Sequence, residues 1–383
     1  MLPDNFVIEN FEPVKMSVEN IGPFHDRFEL DLTDSNGDPC NFFLLVSENG
    51  QGKTTLLDVM VVLMSMLQAD RIIRKFGHED LDRLIQYGTD SARAQLDILV
   101  RFYREGEYQT AILSLIASPE GTSSIRPWTE TELKKIGADF WSRFGYRRHR
   151  SGHIERIGSK DTFIEDLLSC IHNKMSRGPD GFGESSFTVP TLLYFTAYRD
   201  IPKVINKGRS ISAPEDWTYR IVKKFLSGDK WVHSLDNLLV WLKWIDDERF
   251  ERAIDDVNRW VFRDTNKKLE GVQKDPPEAI VSNRGTKHRL DRLSSGEKSL
   301  VQMILRIGAL MTRNTWVVID ELDVHLHPKW QHRILNTLKK IAVETPGLRI
   351  IATTHSREIL TGFEFETKEP GLRKGGHIIE ENL

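Results

Sequence analysis

Apolar and polar side chains alternate over Arg27–Leu32 and Gln95–Phe102, the period-2 pattern of half-buried strands, and Tyr108–Ala117 is a further strand candidate. Gly106 lies between the last two runs and predicts that they pair. Val14–Glu19 is a first strand candidate, closed by the turn Ile21-Gly22-Pro23-Phe24, and Asp34–Asp38 is a further turn. Four short runs are apolar almost throughout: Asn41–Val46, Thr191–Tyr198, Thr315–Ile319 and Arg349–Thr353. Their length favours strands buried on both faces. Helical periodicity covers Thr55–Leu67, Leu300–Met311 and Lys329–Val343, with further helices expected near 129–143 and 161–174. Gly and Ser clusters at 120–124 and 177–186 bracket that last region. Residues 215–262 read as amphipathic helices carrying Trp217, Trp231, Trp241, Trp244 and Trp260, a packed helical subdomain that Pro276 and Pro277 end. Ala279–Ser282 and His288–Leu290 flank Asn283-Arg284-Gly285, a hairpin signal.

Apolar strands interleaved with helices place the chain in the α/β class. Composition narrows the reading mainly by exclusion. The 383 residues are 39% hydrophobic and 28% charged, as an ordered globular chain should be. The net charge of -3 does not advertise a nucleic-acid binder overall, although local basic patches remain open. Cys40 and Cys170 are too few and too far apart for a disulfide scaffold or a metal motif. No apolar run is long enough to span a membrane, and the first residues lack a basic region followed by an apolar run, so a cytoplasmic location is expected.

The chemistry begins where the run Asn41–Val46 ends. Ser47-Glu48-Asn49-Gly50-Gln51-Gly52-Lys53-Thr54, continuing into Thr55, follows G-x-x-x-x-G-K-[ST] except for Ser47 in the first position. Such a loop turns backbone N–H groups toward phosphates, and the helix start behind it adds partial positive charge. Lys53 is placed for β and γ phosphates and Thr54 for Mg²⁺. Downstream, Thr315–Ile319 runs into Asp320-Glu321. Acids at the carboxyl end of a buried strand sit where open α/β sheets bind ligands. Asp320 suits Mg²⁺ and Glu321 a base that activates water. The next strand ends in Thr354-His355-Ser356, which sets His355 beside that acid pair. Leu293-Ser294-Ser295-Gly296-Glu297 opens an apolar helix and reads either as an anion-binding helix start or as an ordinary N-cap.

In this order the motifs resemble an ABC-superfamily ATPase, in the group that holds the SMC, Rad50 and RecF proteins, the OLD-like proteins and ATPases of bacterial antiphage defence. SENGQGKT resembles Walker A, LSSGE the signature, VVIDELDVHLHP Walker B with its following loop, and TTHS the switch histidine. The run Glu321–Pro328 is similar to defence and OLD-like ATPases more than to transporters. The resemblance implies an ATPase head with a mixed β-sheet core, an antiparallel β lobe and an inserted helical subdomain. It implies ATP and Mg²⁺ as cofactors and a head-to-head homodimer, or a higher oligomer of dimers. ATP would lie between Lys53 and Thr54 of one subunit and Ser294 and Gly296 of the other. The expected division is an N-terminal ATPase lobe (1–117), an insertion with a basic patch (118–190), a core strand segment (191–204), a helical subdomain (205–277) and a C-terminal ATPase lobe (278–383). Two positions depart from the family pattern. His327 stands where an aspartate is usual, and Arg199-Asp200 follow the inner strand where a glutamine is usual.

Between Lys53 and Gly296 lie no sustained heptads, which argues against long coiled-coil arms. The 28 residues after His355 leave no room for a Toprim nuclease, so a nuclease or toxin effector is expected on a separate chain. A sensor or regulator in antiphage defence is the first reading, and a RecF-like DNA-binding repair ATPase the alternative. Arg143, Arg147, Arg148, Arg150, Arg156 and Lys160, interleaved with Phe144 and Tyr146, read equally as a DNA contact or as a solvated loop or surface for an acidic protein partner. Arg284, Lys287, His288, Arg289 and Arg292 form a second basic run, open to a partner or to salt bridges within a hairpin.

Overall fold

The computed structural model describes residues 6–68, 92–119, 126–149, 153–176, 188–204, 209–215, 217–225, 230–324, 326–364 and 367–379. The Gly and Ser clusters at 120–124 and 177–186, together with Arg150 and His325, lie outside them.

Among the described residues the strands form three sheets. The core sheet contains β3 (Phe42–Val46), β8 (Pro190–Phe195), β9 (Val222–Phe225), β13 (Asn314–Ile319), β14 (Arg349–Thr354) and β15 (Lys374–Ile378), in the order β15-β3-β14-β13-β8-β9. Every pairing in it is parallel. Its four inner strands are buried at every position, which is why they read as unbroken apolar runs. Register fixes the functional edge. Ile319 pairs with Ala352 on one side and Phe195 on the other, and Ala352 pairs with Leu44. Four strands therefore end almost level, and the segments after Val46, Phe195, Ile319 and Thr354 emerge together.

The second sheet is the lobe, with β1 (Phe6–Glu19), β2 (Phe28–Asp31), β4 (Arg93–Arg104), β5 (Glu107–Pro119), β6 (Phe140–Arg148) and β7 (Ile154–Gly158), ordered β2-β1-β4-β5-β6-β7. Its pairings are antiparallel except β5 with β6. The lobe is fastened to the core sheet by Trp316, whose Nε1 donates to the Phe11 carbonyl at 2.8 Å, and by a buried ion pair between Glu12 and Arg349. The third sheet is a meander of β10 (Lys267–Lys274), β11 (Pro277–Asn283) and β12 (Thr286–Arg289). Its second turn is the expected hairpin, with Arg284 and Gly285 both at positive φ, 50° and 84°.

Several expectations are corrected. The helix expected over 129–143 spans only Glu130–Ile136, because Gly137 takes a left-handed φ of 74° and caps it. The residues beyond it form β6, so Arg143, Arg147 and Arg148 lie on that strand and Arg156 on β7. Strand β10 was hidden by its charged sequence, and Pro276-Pro277 turn it into β11 rather than end a helix. Residues 215–262 hold the helices Leu235–Ile245 and Arg249–Val257, but also β9. The helix Arg357–Phe363 and β15 were not anticipated.

One buried acid in the lobe gives the fold a pH signature. Asp97 is fully buried, and its Oδ1 accepts from Gln95 Nε2 at 2.7 Å and Ser114 Oγ at 2.5 Å. Burial pushes its carboxyl up to about 6 despite those hydrogen bonds. The folded chain thus binds this proton more tightly than the unfolded chain, so its contribution to stability falls as pH rises from about 4 to about 6. Asp97→Asn should remove that slope. Denaturant unfolding of both proteins should show the wild type losing up to about 3 kcal/mol relative to the variant between pH 4 and pH 7. A constant difference across that range would contradict the assignment.

Candidate functional site

The loop after β3 turns on two glycines at positive φ, Gly50 at 86° and Gly52 at 92°. Gly52 also has no room for a side chain: a Cβ there would lie 2.6 Å from the Pro23 ring and 2.7 Å from the Phe24 ring. The lobe turn at 21–24 therefore seats the start of the helix Lys53–Ser65. Asn49 and Gly50 are exposed, Gln51 and Thr55 partly so, and Lys53 is buried. Lys53 Nζ donates to the carbonyls of Ser47 and Glu48, both at 2.7 Å, and to Ser47 Oγ at 3.2 Å. Burial pulls its ammonium below the usual lysine range, while the nearby carboxylates of Glu321, Asp320 and Asp323 oppose that shift.

The predicted acids meet this loop. Thr54 Oγ1 donates to Asp320, 3.1 Å from Oδ1 and 3.0 Å from Oδ2. Thr353 Oγ1, from the neighbouring strand, donates to the same Asp320 Oδ1 at 2.9 Å. It also accepts the Glu321 N–H at 2.7 Å. Glu321 itself sits at a φ of 46°, a left-handed conformation that costs a non-glycine residue about 1–2 kcal/mol. Strain of this kind persists only where neighbours enforce it.

His355 lies beside the acid pair, as its strand position predicted. Its Nδ1 is 3.1 Å from Asp323 Oδ2, and the Thr354 hydroxyl donates to the other Asp323 oxygen. Asp323 is buried while His355 is exposed. A carboxylate so placed orients an imidazole and favours the tautomer with its proton on Nδ1. Sequence reasoning missed Asp323 and Thr353. The only available signals were an acid three residues after Asp320 and a threonine pair before His355.

Arg199, which sequence alone left without a role, is buried behind the acids. It donates to the carbonyls of Asp320 and Glu321 at 2.5 and 2.7 Å. Burial draws its guanidinium down to about 10, against the pull of Asp320, Asp323 and Glu321.

Ser294 is the N-cap of the helix Ser295–Leu310 and forms a full capping box with Glu297. Burial favours a protonated Glu297, but Lys267 at 2.7 Å and the Ser294 N–H and hydroxyl hold its carboxyl below the usual range. Ser294 and Ser295 are exposed, whereas Gly296 is buried against a tryptophan. A Cβ on Gly296 would come within 2.6 Å of the Trp330 ring. His327 proves to be the N-cap of the helix Pro328–Glu344, its Nδ1 accepting from the Lys329 N–H at 3.4 Å.

The basic runs look different in three dimensions. Phe144 and Tyr146 are 2% and 3% exposed, so neither ring can stack on a base, contrary to expectation. Arg156 pairs with Glu165 at 3.0 Å, Arg147 with Glu155 at 3.8 Å, and Arg143 lies over the Trp141 ring. The second run sits on the β11–β12 hairpin and is salt-bridged, Arg289 to Glu278 at 3.4 Å and Lys287 to Glu270 at 3.7 Å.

Residues 200–361 match the family described as "AAA domain, putative AbiEii toxin, Type IV TA system". A Septu protein PtuA of Bacillus thuringiensis is 30% identical over 125 residues, which cover 29% of this chain and 30% of that protein. A protein of Escherichia coli described as "Retron Ec83 probable ATPase" is 32% identical over 99 residues, 23% of this chain and 18% of that one. Over these segments the chain is similar to AAA-type ATPase domains. The matched segments span less than a third of these relatives' length. Among solved structures, an Smc head bound to the C-terminal winged-helix domain of ScpA aligns over 92% of this chain and 91% of that one, with 13% identity and a TM-score of 0.44.

The tight approach of Gly296 to Trp330 predicts an intrachain penalty for any side chain there. Gly296→Ala should lower unfolding free energy by about 1–3 kcal/mol through overpacking. Adding Trp330→Ala should recover part of that loss in the same denaturant titration. A Gly296→Ala variant as stable as wild type would show that the ring yields freely.

Proposed function

We propose that the chain is an ATP-hydrolysing molecular switch that closes head to head with a second copy around ATP. In this reading it senses or regulates a separately encoded effector, a nuclease or toxin, in cytoplasmic antiphage defence. The observation that carries the proposal is the convergence of Lys53, Thr54, Asp320, Glu321 and His355 at one edge of the core sheet.

The chemistry of these residues fits the nucleotide. The N–H groups of Asn49 to Thr55, at a helix start, suit a phosphate chain. Lys53 would exchange the Ser47 and Glu48 carbonyls for β- and γ-phosphate oxygens. The Thr54 hydroxyl and Asp320 carboxylate, 3.0 Å apart, are hard oxygen donors suited to Mg²⁺. Among the described residues no group of three or more His, Cys, Asp and Glu could hold a metal alone. Bound there, the ion would neutralise charge on the phosphates. Glu321 would take a proton from the attacking water, and His355, steadied by Asp323, would contact the γ-phosphate. Exposed Ser294 and Ser295 would complete the site of the partner copy, so that closure depends on ATP.

The setting is supported by the Type IV toxin–antitoxin wording of the matched family and by the Septu and retron relatives. Among the described residues no helix is long and apolar enough to cross a membrane. Residues 1–117, 191–204 and 278–383 would supply the ATPase lobes and core strand, with 118–190 and 205–277 as insertions that add β6 and β7 to the lobe sheet and β9 to the core sheet. The RecF-like alternative has less support, because the aromatic rings of the first basic run are buried, and Arg143, Arg147 and Arg156 have partners within the chain.

Glu321→Gln should retain ATP binding, lose about 10²–10⁴-fold in turnover, and accumulate as an ATP-bound dimer in size-exclusion chromatography with light scattering. Wild-type turnover in this variant would refute the assignment of the base. A chain that stays monomeric with ATP in both forms would refute the dimer.

A further inference from the structure

We infer that Arg199 is a positioning residue through which the helix Ser295–Leu310 sets the geometry of Glu321. The inference rests on the ATPase reading above and adds to it a route by which closure at Ser294 reaches the base.

Arg199 follows β8 and is 8% exposed. Its hydrogen bonds are unusual for a buried cation near acids, because they go to carbonyls and a hydroxyl. Nη1 donates to the carbonyls of Thr196 at 2.9 Å and Asp320 at 2.5 Å, Nη2 to that of Glu321 at 2.7 Å, and Nε to Ser299 Oγ at 3.1 Å. A burial this costly would be better balanced by a direct carboxylate contact if charge neutralisation were its purpose. The contacts instead describe a clamp on the backbone of the turn after β13.

That turn needs a clamp. Glu321 holds a left-handed φ, and its own peptide groups are fastened from both sides. Thr353 Oγ1 accepts its N–H, and Arg199 Nη2 donates to its carbonyl. Together they fix the direction in which its side chain leaves the backbone. The planar guanidinium suits the task because it can address two successive carbonyls and the hydroxyl at once. An ammonium on a flexible stem cannot reproduce that fork.

The other end of the clamp is the signature helix. Ser299 lies five residues after Ser294, about 7–8 Å along one helix axis. The neighbouring residues repeat the tie: Lys298 Nζ is 2.8 Å from Asp200 Oδ1. Residues 199–200 are thus bound to the helix twice and to the Asp320–Glu321 turn twice. A displacement of the helix on engaging a partner's nucleotide would pull on Ser299, and Arg199 would carry it to Glu321.

The test compares wild type, Arg199→Lys and Ser299→Ala in steady-state ATP turnover and in equilibrium binding of fluorescent ADP. Arg199→Lys should lower kcat about 10- to 100-fold with KM within about threefold, as misplacement of a supported group does. Ser299→Ala should lower kcat a few-fold in the same direction, and ADP affinity should stay at the wild-type value in both. Wild-type kcat in Arg199→Lys would overturn the inference. So would a loss of ADP affinity as large as the loss of turnover, since that marks a binding or folding role. If Arg199→Lys fails to fold, Ser299→Ala decides, and an unchanged kcat there overturns the inference. A wild-type chain that binds ATP without hydrolysing it would sink the ATPase reading itself, and this inference with it.

Discussion

The Asp320 carboxylate is held by hydroxyls from two different elements, Thr54 at the start of the helix Lys53–Ser65 and Thr353 near the end of the adjacent strand. The rest of the site depends on that bridge. It exists because β3, β14 and β13 run parallel and end nearly level, so the loops after them must share one edge. A one-residue slip would turn Thr353 to the opposite face of the sheet and break the bridge. Complete burial of these strands on both faces guards against such a slip, because every register error would expose or misalign apolar side chains.

The four inner strands of the core sheet were legible because burial on both faces leaves a plain mark, short apolar runs ending in polar chemistry. The positions of the glycine loop at 47–54, the acid pair and His355 were legible for the same reason: each follows such a run directly. Strand β10 was not, since Lys267, Lys268, Glu270, Gln273 and Lys274 leave only Leu269 and Val272 as apolar marks of a strand. The helix expected through residue 143 failed at Gly137, where a single left-handed residue ends it. Asp323, Thr353 and Arg199 escaped because their partners are remote in sequence. Arg199 meets Ser299 a hundred residues away, and no local pattern encodes that meeting.

The segment Leu293–Glu297 shows two demands served by one short sequence. Ser294 and Glu297 close a capping box within the chain, the ordinary reading of Ser-x-x-Glu. Ser294 and Ser295 nevertheless stay exposed, while Gly296 is flattened against Trp330. The cap stabilises the helix, and the glycine lets another helix approach it. Both give a rigid start that a second molecule could engage. His327 follows the same economy, serving as an N-cap where an aspartate, also a good N-cap, was expected.

The central claim is that the shared strand edge is a nucleotide site built around Lys53. Equilibrium binding of a fluorescent ATP analogue in Mg²⁺, for wild type and Lys53→Ala, tests it most directly. Loss of a charge-assisted contact to phosphate should weaken binding by about tenfold or more in the variant. Equal affinity in the two proteins, or binding by neither, would contradict the account.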